Sequence, residues 1–188
     1  MIIDLHANRE FAKPAEGCVV KNSMHVIYKC PAKKDTIGYG FNIEENELPA
    51  EIGKELLARA MKDKRFDKLE KTGYKLQVSY NIKKDGIPED IAYKLLDINL
   101  RNAEAELIDN CRFWRDLDFV RRQVLIDMCF NMGWPTLSNF KKMFAALKDG
   151  DYEEAANQMI DSKWYRDVKK RAEYLVESMR TGVWVEYT

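Results

Sequence analysis

One segment constrains this chain more than any other. From Pro88 to about Asp109, apolar residues recur on one helical stripe without a break. Ile91, Leu95, Ile98, Ala105 and Ile108 hold that stripe, and Glu89 and Asp90 put negative charge where the dipole of a starting helix favours it. A helix of roughly twenty residues spans about 30 Å. Such an element is long enough to join two lobes, and the sequence on its two sides differs in kind.

On the N-terminal side, Cys18-Val19-Val20, Met24 to Tyr28 and Thr36 to Gly40 read as short strands of a small antiparallel sheet. Asn22-Ser23 and Pro31 to Lys34 supply the turns between them. Residues 4–12 read as a short helix capped by Asp4 and limited by Pro14. Pro49 opens a second helix, running to about Lys62, in which Leu56, Leu57, Ala60 and Met61 recur at helical spacing. Tyr74, Leu76, Val78, Tyr80 and Ile82 alternate with polar residues, the pattern of a half-buried strand, and Asp85-Gly86 ends it.

On the C-terminal side, residues 118–180 read as all-helical. Apolar faces come from Val120-Leu125-Cys129, Phe140-Phe144-Leu147, Ala155-Met159 and Tyr174-Val176-Met179. Gly133-Trp134-Pro135, Asp149-Gly150 and the segment around Trp164 separate them. The predicted architecture is α+β and mostly helical, one domain over residues 1–188. A sheet-containing lobe at about 13–86 is joined by a connecting helix at 87–109 to a helical lobe at 110–188, with the 1–12 helix packing on the latter.

Composition removes several function classes. Lys+Arg and Asp+Glu both number 31, so the formal charge is zero, and a protein built to coat nucleic acid needs a clustered basic excess. Lys141-Lys142 and Lys169-Lys170-Arg171 are local exceptions, read either as solvated helix faces or as contacts for an anionic polymer. The four cysteines show no metal-ligand spacing, and neither His6 nor His25 joins a cysteine cluster, so no metal site is expected. Free thiols made in a reducing compartment are the expectation. The segment MIIDLHANREFAK lacks the charged start and apolar stretch of a secretory signal, and no apolar run is long enough for a membrane span. The product is expected to begin in a cytoplasm without stable membrane insertion.

The block TIGYG at 36–40 follows Glu16-Gly17 and Tyr28-Lys29-Cys30, and the chain ends its helical part in RTGVW at 180–184. With these in order, the chain resembles the phage-type lysozymes, family 24 of the glycoside hydrolases. RRQVLIDMCFNMG at 121–133, EEAANQMIDSKWY at 153–165 and KRAEYLVESMRTGVW at 170–184 look like the helical lobe of those enzymes. GIPEDIAYKLLDINL at 86–100 looks like their interlobe helix. About 44–85 matches poorly. The resemblance implies a lysozyme-like fold and an endolysin that cleaves the glycosidic bond between N-acetylmuramic acid and N-acetylglucosamine in bacterial peptidoglycan. It implies a monomer without cofactor, released to the cell wall through a membrane pore.

Glycoside hydrolysis needs an acid for the leaving oxygen and a second group for the water or the sugar cation. By the resemblance Glu16 is the acid, with Glu10 as its rival because Pro14 disturbs the expected helix end. Thr36 would hold the attacking water, since a hydroxyl both donates and accepts, although threonine is also an ordinary strand residue. Cys30, six positions before Thr36, stands where many relatives carry aspartate. A thiolate is a good nucleophile, and Lys29, Lys33 and Lys34 are placed to favour one; a packed apolar cysteine is the plainer reading. Asp35 is the alternative second group. Glu16 precedes Cys30 by fourteen positions, more than is usual in the family, which an enlarged first hairpin would absorb.

The same resemblance marks Asn42, Phe130 and Gln158 as substrate contacts and Arg171 as an ion-pair partner of the catalytic glutamate. Core packing for Phe130, and helix packing for Trp164-Tyr165, compete with sugar contact. A wall-binding or virion-structural protein that kept the fold without turnover is the alternative function, because fold alone does not establish activity.

Overall fold

The computed structural model describes residues 18–30, 33–62 and 85–185. The helix expected at 4–12, the strand expected at 74–82, and both Glu10 and Glu16 lie outside these residues. The chain divides into two compact units, one of residues 16–98 and one of residues 1–15 with 99–188.

The described strands of the first unit are very short. Strands β1 (Val20–Lys21), β2 (Met24–His25) and β6 (Ile87–Pro88) form one antiparallel sheet in the order β1-β2-β6. Strands β3 (Tyr28–Lys29), β4 (Asp35–Ile37) and β5 (Phe41–Asn42) form a second in sequence order. Asn22 and Ser23 both take positive φ, 51° and 62°, as a two-residue turn must when its twist matches the flanking strands. Helix α1 (Ala50–Lys62) follows β5.

Pro88 does something the sequence pattern did not show. Ile87 and Pro88 pair with His25 and Met24, and helix α2 (Glu89–Asn110) begins one residue later. A proline is tolerated there because β6 is an edge strand and owes its sheet no second ladder. Gly86 makes the approach possible: a Cβ there would lie 2.2 Å from the His25 carbonyl oxygen. The core of this unit takes Ile37 from β4, Tyr39 from the turn at 38–40 and Phe41 from β5; the strand expected over Thr36 to Gly40 ends at Ile37, and residues 36–39 are buried in succession. Ile52, Ile87, Ile91, Ala92, Leu95 and Leu96 complete it.

The second unit holds α3 (Phe119–Met132), α4 (Trp134–Leu137), α5 (Lys141–Asp149), α6 (Tyr152–Ile160), α7 (Lys163–Val168) and α8 (Lys170–Thr181). Side-chain caps start three of them: Asp118, Asp151 and Ser162 accept from the backbone N–H of Arg121, Glu154 and Tyr165. α3 is the most buried helix of the unit, with Val124, Leu125, Ile126 and Met128 at 0% exposure. Trp164, read as part of a separator, lies within α7 and is buried.

The stripe of α2 also differs from the sequence reading. Ile91 and Leu95 are buried as expected, but Ala105 and Ile108 are exposed and Ile98 is half-buried. Leu100, Ala103 and Leu107 take the buried positions of the second half. Both series have helical spacing, and the buried face turns about the axis where the helix leaves one unit for the other. Among the described residues, no helix is long and apolar enough to cross a membrane.

Candidate active site

Thr36 occupies the central strand of the second sheet. Its register partners are Tyr28 on β3 and Asn42 on β5, so these three side chains share one face of the sheet. The Thr36 hydroxyl donates to the Lys34 carbonyl oxygen at 3.2 Å, leaving its lone pairs as acceptors. The side chain is 2% exposed.

Cys30 sits at the base of the β3–β4 loop. Its N–H donates to the Lys34 carbonyl at 3.1 Å, and its own carbonyl accepts from the Lys33 N–H at 2.7 Å. The thiol is half-buried and free of any disulfide. Two lysines that the sequence places near it are paired elsewhere. Lys29 bridges Asp35 at 2.8 Å and Glu44 at 2.9 Å, which raises the ammonium above its ordinary pKa and lowers the Glu44 carboxyl below its own. Lys34 pairs with Glu45. Asp35, the alternative second group, is thus already ion-paired. The thiols of Cys111 and Cys129 are both pushed up by burial, that of Cys129 to about 12, and Cys129 donates to Glu106. Such thiols are unreactive.

Asn42 is committed to its own loop. Its Oδ1 accepts from the Glu44 and Glu45 N–H groups, and its Nδ2 donates to Glu45 at 2.9 Å. This local turn explains an asparagine at the end of β5 without any ligand.

In the helical unit, Arg171 makes a two-pronged ion pair with Asp127: Nε donates to Oδ1 at 3.0 Å and Nη2 to Oδ2 at 2.9 Å. Both side chains are within 4% of complete burial. The pairing expected between Arg171 and Glu16 involves an undescribed residue. Asp127 escaped the sequence reading, although an acid inside the apolar run Val124 to Cys129 is itself a signal, because a buried carboxylate requires a partner. Phe130, one turn further along α3, is half-buried with the Arg171 guanidinium 6.0 Å from its ring centre.

Gln158 lines a groove of about 790 Å³ in this unit, together with Asn131, Met132, Lys141, Lys163 and Trp164. Its Nε2 donates to Glu154 at 2.7 Å. Trp164 donates its indole N–H to Asn131 Oδ1 at 3.0 Å, which anchors the ring in the groove wall. The groove combines apolar surface, amides, the ammonium groups of Lys141, Lys142 and Lys163 and the carboxylates of Asp161 and Asp167, a mixture suited to a sugar polymer. Among the described residues, no group of three His, Cys, Asp or Glu is placed to hold a metal. The structure therefore gathers Cys30, Thr36, Asp35 and Asn42 around one small sheet, and Phe130, Gln158 and Arg171 within the helical unit.

A family model described as phage lysozyme matches residues 14–180. The chain is 31% identical over 74 residues to a protein named probable T4-type lysozyme 2 of Dictyostelium discoideum, covering 39% of this chain and 44% of that one. A second such protein of that organism, probable T4-type lysozyme 1, is 28% identical over 69 residues, 37% of this chain and 41% of its own. The pre-baseplate central spike protein Gp5 of Enterobacteria phage T4 is 33% identical over 69 residues, 37% of this chain and 12% of its own. The matching stretches span less than half the length of each of these relatives. With nearly its whole length matched by one family model, the chain belongs to the phage lysozyme family.

Proposed function

We propose that this chain is a muramidase that hydrolyses the β-1,4 bond between N-acetylmuramic acid and N-acetylglucosamine in bacterial peptidoglycan and so lyses the cell. The observation that carries this reading is the family match over 14–180, which takes in Glu16, Cys30, Thr36, Phe130 and Gln158 together. Glu16 gives its proton to the leaving glycosidic oxygen as the bond to the anomeric carbon breaks. Thr36, its hydroxyl proton turned to Lys34, accepts a hydrogen bond from the water that adds to that carbon. The proton lost by the water goes to Cys30 as thiolate or to Asp35. The groove beside Gln158 and Trp164 holds the sugar polymer.

The test is mass spectrometry of purified peptidoglycan after digestion. The expected product carries a reducing N-acetylmuramic acid, formed equally well in the presence of a chelator. Glu16→Gln should lower its rate by about 10²–10⁴ while leaving the fold intact. Full activity in folded Glu16→Gln with loss in Glu10→Gln would move the acid to Glu10. Cys30→Ala and Asp35→Asn, compared at equal folded concentration, identify the proton acceptor: the damaging substitution names it.

One observation favours a second reading. The likeness to a phage spike protein, with a thiol at Cys30, fits a virion-structural or wall-binding role without turnover. Wall pull-down without release of sugar would establish it.

A further inference from the structure

His25 is 1% exposed, and its buried Nδ1 has no hydrogen-bond partner among the described residues. An apolar residue would fill this place at lower cost, so the polar ring must give something in return. Its Nε2 meets one oxygen of Glu89, in the first turn of α2. A carboxylate only accepts, so Nε2 carries the proton. The other Glu89 oxygen accepts from the Tyr39 hydroxyl at 2.6 Å. Burial and the neighbouring carboxylate both hold that hydroxyl in its protonated, donating form.

These contacts converge from different parts of the first unit. His25 lies on β2, between Val20 of β1 and Ile87 of β6. Tyr39 lies in the turn that joins β4 to β5 of the other sheet and follows Thr36 by only Ile37 and Gly38. The turn between them is pressed on α2: Gly38, at φ +59°, would bring a Cβ within 3.1 Å of Ala92. The Tyr39 ring meets that of Tyr93, one helical turn beyond Glu89, at 5.2 Å, and that of His25 edge-on at 5.0 Å. The N-terminal end of α2 favours a negative charge, which keeps the fork ionised at little cost.

We propose that Glu89 is a positioning residue: its forked carboxylate ties the β1–β2 hairpin through His25, and the strand that carries Thr36 through Tyr39, to the start of α2. The catalytic part of this proposal rests on the lysozyme reading above. Two donors converge on the fork, so only a group with two acceptor oxygens satisfies both. Glutamine has the same shape but sets an NH₂ against one donor. Thr36 would then shift, and small displacements of a water-holding group act on turnover more than on binding.

The experiment compares Glu89→Gln, Tyr39→Phe, His25→Ala and His25→Gln, each at a temperature where it is folded. It reads kcat and KM on purified peptidoglycan and the amide NMR shifts of Thr36 and Gly38. Glu89→Gln should lower kcat about tenfold or more with KM changed less than about twofold, and should move the Thr36 amide. His25→Gln keeps a donor near the Nε2 position and should recover most of what His25→Ala loses. Tyr39→Phe tests the second prong if Glu89→Gln does not fold. Unchanged kcat in folded Glu89→Gln or Tyr39→Phe, whatever the amide does, overturns the positioning role. If the native chain releases no sugar, the lysozyme reading fails separately. The clasp is then judged by the Thr36 amide alone: movement upholds it and no movement overturns it.

Discussion

The two units achieve order by different means. The helical unit has a wide apolar interior, with Leu175, Met179 and Met159 at 0% exposure, and buries the Arg171–Asp127 ion pair. The described strands of the sheet unit have two or three residues, too short to stand on ladder hydrogen bonds alone. Beside its apolar core of Ile37, Ile87, Ile91 and Leu95, its loops and strand ends are fixed by polar contacts: the Lys29 bridges, the Asn42 turn and the Glu89 fork. Packing makes a body rigid, whereas directional contacts set where a particular side chain stands. Thr36, Cys30 and Asp35, which the proposal assigns to the water step, lie on the second kind of scaffold.

The largest effect should come from the buried pair. Asp127→Ala removes the buried carboxylate that Arg171 grips through Nε and Nη2 and should cost about 3–5 kcal/mol of stability. Urea denaturation measures it, and Asp127→Ala with Arg171→Met should recover much of the loss. A cost below about 1 kcal/mol in the single variant would show the helical unit to be less dependent on that pair than its burial implies.

Gly38→Ala comes next. It combines positive φ with the close approach to Ala92, and about 1–3 kcal/mol is the expected loss. If the Thr36 turn matters to chemistry, specific activity at equal folded concentration should fall too. Native-state hydrogen exchange sharpens the comparison without mutation. Amides of α3 and α8 should open only with global unfolding, and those of β1 and β2 sooner. Equal protection in both would erase the distinction drawn between the units.

The smallest effect concerns Arg59, which bonds Asp90 at 2.9 Å and pairs with Glu55, itself bridged by Lys94. These partners hold both carboxyls below their ordinary values of 3.8 and 4.5. A carboxyl depressed in the folded state stabilises above its unfolded pKa, and that stability is lost as pH falls through the folded value. Arg59→Ala should therefore cost under about 1 kcal/mol at neutral pH, because the pair is largely exposed. The difference from wild type should shrink below about pH 4. A constant difference from pH 7 to pH 3 would rule the ion pairs out as its source.

Much of this protein is legible along the chain. The helical blocks after residue 118 and the long helix from Glu89 follow from the period of their apolar residues, because a helix repeats every 3.6 residues whatever surrounds it. The strand that carries Thr36 is legible from its β-branched residues, whereas TIGYG as a whole is not one strand: β4 ends at Ile37 and the chain turns at 38–40. Family membership rests on ordered blocks of this local kind. Other features were decided only in three dimensions. Pro88 is a strand residue because Met24 lies beside it, and the buried face of α2 turns because each half packs in its own unit. Glu89 meets His25 across 64 positions and Arg171 meets Asp127 across 44. A polar pair has no period and leaves no pattern along the chain. It exists only where the backbone has already brought two distant groups within hydrogen-bonding reach.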